Sequence, residues 1–97
     1  MEIIRPSVAG TLESSDIMIS LEPALRGIEI ELQSIVEKQF GREIDKAIRE
    51  TLADLRVEHA RVKAVDKGAL DCTIRARVKT AVYRAGAADA YDWKAPL

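Results

Sequence analysis

A chain of 97 residues, 47% hydrophobic and 32% charged, has the content of one folded domain, too short for two cores and too apolar to stay unstructured. Its formal charge of -1, from 15 Lys and Arg against 16 Asp and Glu, lacks the basic excess that phosphate-backbone binding requires, so no nucleic-acid partner is expected. Cys72 alone permits neither an intrachain disulfide nor a multi-cysteine metal site, and the chain shows neither a secretion signal nor a membrane-length apolar run, so a cytoplasmic location and no membrane partner are expected.

Gly10-Thr11-Leu12-Glu13-Ser14-Ser15-Asp16 reads as a polar turn placed directly before an alternating run. In residues 17–22 Ile17, Ile19 and Leu21 face one side; in residues 28–33 Ile28, Ile30 and Leu32 do the same, opposite Glu29, Glu31 and Gln33. These are two half-buried strands, and Pro23 through Gly27 suits a hairpin loop pairing them antiparallel.

From Phe40 the period becomes helical: Phe40, Ile44, Ala47, Ile48, Thr51, Leu52 and Leu55 recur at intervals of three and four. Between 60 and 78 two alternating runs flank Asp66-Lys67-Gly68, which suits a hairpin turn with glycine in the left-handed position. The second run places Leu70, Cys72, Ile74 and Ala76 inward and Asp71, Thr73, Arg75 and Arg77 outward, although Leu70, Ile74, Val78, Ala81, Val82 and Ala85 also fit helical spacing. The strand is preferred there, with a short helix through Arg84 ended by Gly86.

The expected fold is α+β: a two-layer sandwich in the order β-β-α-β-β-α, with a four-stranded antiparallel sheet and two helices on one face. Residues 1–86 form the domain, and residues 87–97, carrying Tyr91 and Trp93, form a flexible or partner-docking tail.

Few residues suit catalysis. His59 is the only histidine and reads as a surface imidazole; Cys72 reads as a packed thiol; Glu13 and Asp16 read as solvating and capping groups of the turn. No glycine-rich phosphate loop or metal-ligand spacing is present, so neither a catalytic residue nor a metal site is expected. On the outward faces Arg61, Lys63, Arg75 and Arg77 form a basic half opposite Glu29 and Glu31; cross-strand pairing is the plain account, and contact with cofactor phosphates or an acidic partner is the alternative.

The blocks GTLESSD, preceded by Val8-Ala9, and DKGALDC resemble the acyl carrier (gamma) subunit family of citrate lyase over nearly the whole length. The resemblance implies a non-catalytic carrier, distinct from the four-helix acyl carriers, in which a serine corresponding to Ser14 is joined by a phosphodiester to 2'-(5''-phosphoribosyl)-3'-dephospho-CoA. Ser15 is an equivalent hydroxyl on composition alone. The resemblance also implies three partners: holo-citrate lyase synthase, which installs the group, and the citrate lyase alpha and beta subunits. The alpha subunit exchanges acetyl for citrate on the carrier, and the beta subunit releases oxaloacetate and restores the acetyl carrier. Malonate decarboxylase carriers are similar in motif, and an adaptor domain without a prosthetic group is a further alternative.

Overall fold

Period-two alternation holds where the sequence shows it: Ile17, Ile19 and Leu21 are buried, while Glu29 and Glu31 point away from the half-buried Ile28, Ile30 and Leu32. The computed structural model describes residues 1–86. Strands β1 (Ser7–Gly10), β2 (Ile17–Glu22), β3 (Ile28–Ser34) and β4 (Ala60–Asp66) form one sheet. Helices α1 (Glu37–Asp54) and α2 (Asp71–Ala85) cover one face of it, where Ala9, Ile19, Val62, Ile48 and Val82 belong to one core. The architecture is α+β in two layers, and it is not a four-helix bundle.

The sheet is mixed rather than fully antiparallel. Its order is β1-β2-β4-β3; β2 pairs antiparallel with β1 and β4, and β3 runs parallel to β4. The two runs expected to form a hairpin are therefore not neighbours, because β4 enters between them. Parallel pairing needs a long crossover, and α1 supplies it. The segment 23–27 has to cross two strand spacings, about 9.6 Å, which five residues span with ease. It is pinned to the start of β4: Ala60 N–H donates to the Gly27 carbonyl at 3.0 Å, and Gly27 N–H donates to His59 Nδ1 at 2.8 Å.

Residues 71–85 form one helix instead of a strand followed by a short helix. Ile74, Val78, Ala81, Val82 and Ala85 are its buried residues, whereas Leu70 and Cys72, which the strand reading turns inward, are exposed. The turn after β4 is not a hairpin either. The buried Asp66 carboxylate accepts from Gly68 N–H at 3.1 Å, Ala69 N–H at 3.0 Å and Ser34 Oγ at 2.8 Å, shaping the loop that leads into α2. Arg75 then ties the helices together, bonding Asp71 at 2.7 Å and Glu50 of α1 at 2.8 Å. Phe40, expected in the core, stays 45% exposed.

The unexpected strand is β1, whose four residues SVAG are too few to show a period. It is shaped by its last residue. Gly10 sits at φ +97, and an added Cβ would lie 1.8 Å from the Ile17 carbonyl oxygen, a backbone atom that cannot swing aside. Gly10→Ala is expected to cost about 3 kcal/mol, seen as a lower urea midpoint at unchanged slope; an unaltered midpoint would refute the close approach.

Candidate functional site

The β2–β4 ladder continues past both strands. Register pairs Ile17 with Asp66, and one step further Lys67 N–H donates to the Asp16 carbonyl at 2.8 Å while Ser15 N–H donates to the Lys67 carbonyl at 2.8 Å. The two sequence blocks singled out above therefore meet in space. Ser15 takes a left-handed backbone at φ 65, a cost of about 1 kcal/mol for a residue with a Cβ, which these bonds offset. Asp16 N–H donates to the Glu13 carbonyl at 3.2 Å, closing a four-residue turn with Ser14 and Ser15 at its centre. Both serines are exposed, and neither hydroxyl has a hydrogen bond among the described residues.

Asp16 turns the other way. The residue is only 9% exposed, and Arg77 of α2 grips both carboxylate oxygens, Nη2 at 2.8 Å and Nε at 3.0 Å. The Thr11 hydroxyl donates to the same carboxylate at 2.7 Å, as does Ile17 N–H at 2.7 Å, and Thr11 Oγ1 accepts from Glu13 N–H at 3.1 Å. The Arg77 hydrogen bonds hold the Asp16 carboxyl well below the usual carboxylate range; burial opposes the shift, and the Thr11 and Ile17 bonds assist it. Asp16 is thus a buried anchor of the turn rather than a solvating group at its surface.

The basic half expected on one sheet face is divided. Arg61 and Lys63 lie on the sheet face away from the helices, and Arg61 bonds Glu22 and Glu29, each at 3.2 Å, as cross-strand pairing anticipates. Arg75 and Arg77 belong to α2 and are bound to Asp71, Glu50 and Asp16. His59 precedes β4 at the end opposite the serine turn, about 20 Å of strand away, and serves the 23–27 connector. Cys72 is an exposed thiol on the first turn of α2, not a packed one. Tyr91 and Trp93 lie outside the described residues. Among the described residues no group of three His, Cys, Asp or Glu could hold a metal, and no helix is long and apolar enough to cross a membrane.

The site therefore presents an oxygen without activating it. The Asp16 carboxylate is committed to Arg77, the Glu13 carboxylate bonds neither serine among the described residues, and His59 is at the far end of the sheet. Sequence reasoning missed Arg77 and the Lys67 backbone as supports of the turn. The signal available was the pairing of GTLESSD with DKGALDC, two separated blocks with a common structural task.

Residues 4–85 match the acyl carrier family model described as "Malonate decarboxylase delta subunit (MdcD)". The chain is 60% identical over 94 residues to the citrate lyase acyl carrier protein of Streptococcus uberis, covering 97% of this chain and 93% of that relative. The chain belongs to the citrate lyase acyl carrier protein family. A second member, from Lacticaseibacillus casei, is 58% identical over 94 residues with coverage of 97% and 93%. A chain in the crystal structure of a Pseudomonas malonate decarboxylase hetero-tetramer in complex with malonate aligns with this carrier at a TM-score of 0.68, over 89% of this chain and 93% of that one. At 23% identity that likeness establishes a common fold.

Asp16→Asn in this carrier is expected to lower the unfolding free energy at pH 7 by about 2 kcal/mol. The native carboxyl is held below its unfolded value, so its contribution is complete above about pH 5 and is lost as pH falls through the native value. Urea titrations of both proteins at pH 7 and pH 3 should show the difference narrowing in acid; a constant difference would disprove the ionised Asp16–Arg77 contact as its source.

Proposed function

We propose that this carrier serves citrate lyase by bearing an acyl group on a prosthetic group joined through a phosphodiester to Oγ of Ser14. The observation that carries this reading is the turn itself: an exposed hydroxyl without a partner among the described residues, at the tip of the GTLESSD block, in a turn fixed by Lys67 and Arg77. Identity of 60% over 97% of the chain to a citrate lyase acyl carrier protein supports the choice of complex. Ser14 and Ser15 are both exposed, and Ser14 is chosen by its position in the GTLESSD block that resembles the family's modification segment.

The group is 2'-(5''-phosphoribosyl)-3'-dephospho-CoA, which when bound supplies a terminal thiol for the acyl thioester. The residues present fit its attachment. Ser14 stands in solvent, and the nearest buried negative charge, Asp16, is already neutralised by Arg77, so a phosphodiester on Ser14 meets Glu13 as its only like charge within the turn. The base for attachment comes from holo-citrate lyase synthase, in the cytoplasm, and the alpha and beta subunits perform the acyl chemistry. Residues 1–86 act as the rigid carrier domain, and tethering sets the local concentration of the acyl group at both active sites.

Intact-mass measurement after coexpression with the modifying enzymes tests the assignment. Ser14→Ala should carry no adduct, and Ser15→Ala should remain loaded. An adduct of unchanged mass on Ser14→Ala would sink the assignment.

A further inference from the structure

We propose that an apolar groove between the starts of α1 and α2 binds the adenine ring of the nucleotide arm, a reading that rests on attachment at Ser14. The groove has a volume of about 380 Å³ and is walled by Val36, Phe40, Leu70 and Ile74, with Glu43 and Asp71 beside them. Phe40 and Leu70 are 45% and 70% exposed, and Phe40 is the only phenylalanine of the chain. An apolar lining of this kind, with few polar groups, suits a small flat ligand.

Its position selects the ligand. Gly68 and Ala69 belong to the groove wall and directly follow Lys67, whose carbonyl receives the Ser15 N–H. From Ser14 through Ser15 and Lys67 to Gly68 the path between Cα atoms is about 13 Å. In the proposed group only a phosphate and a ribosyl unit separate the serine oxygen from the adenosine, while the pantetheine thiol lies beyond a further pyrophosphate. Adenine is thus the first aromatic ring that the anchor places within reach.

Charge points the same way. Among the described residues no Lys or Arg lines the groove, and the carboxylates of Glu43 and Asp71 disfavour the phosphates of the arm. A neutral base whose exocyclic amine donates to a carboxylate, stacked on an exposed phenyl ring, meets that environment. Seating the adenosine there leaves the pyrophosphate and pantetheine as the part that swings, with a shorter radius and a higher effective concentration near the domain.

NMR on the apo and loaded carrier tests this, with intact mass confirming the adduct. In apo protein, adenosine and 3'-dephospho-CoA should shift the Val36, Leu70 and Ile74 methyl resonances and the Phe40 ring, and pantetheine should not. In loaded protein, adenine protons should show contacts to Phe40 and Ile74. Phe40→Ala should weaken adenosine binding at least fivefold, and Leu70→Ser serves as the second variant should the first lose its native spectrum. Groove resonances identical in apo and loaded protein, or moved by pantetheine and not by adenosine, would overturn the inference while leaving Ser14 attachment intact. A missing adduct on Ser14 would remove both.

Discussion

One extra rung of backbone pairing, in which Lys67 both donates to Asp16 and accepts from Ser15, organises the functional end of this domain. It fastens the loop that carries the serines to the loop that starts α2. Once α2 begins there, Arg77 falls beneath the turn and closes on Asp16. The neighbouring residues are thereby sorted by chemistry: the carboxylate goes inward to a guanidinium, and the hydroxyl goes outward to water. Removing either support leaves a polar loop with no reason to hold one shape, because Ser15 has to remain in a left-handed backbone region that a free chain seldom occupies.

Much of the secondary structure was legible because the alternation in β2 and β3 and the three-to-four spacing in α1 are local signals. What pairs with what was not. Pairing β2 with β3 is the economical reading of a short connector, yet the insertion of β4 between them depends on the α1 crossover and on apolar faces far apart in sequence. Residues 70–78 satisfy both periods, and the helix prevails because Ile74, Val78, Ala81, Val82 and Ala85 make one continuous buried stripe whereas the strand reading would bury Cys72. Asp16 and Arg77 stand 61 positions apart, so nothing local announces their union. The serine turn was visible as a motif, but its rigidity was not.

The division of labour follows from what surrounds the turn. His59 and Cys72, the side chains most readily suspected of chemistry, are respectively a brace for the 23–27 connector and an exposed thiol on α2. Among the described residues, neither serine hydroxyl has a histidine or carboxylate bonded to it, so the turn carries no base of its own.

The placement of β4 between two strands that precede it also sets an order of assembly. While the chain emerges from the ribosome, β2 and β3 have no central partner until residues 60–66 are free, and the serine turn has neither its rung nor its guanidinium until Lys67 and Arg77 follow. A modifying enzyme that recognises the finished turn would in effect inspect the chain as far as Arg77. Nascent, truncated or misfolded copies would then pass unlabelled, reserving a prosthetic group for domains already folded.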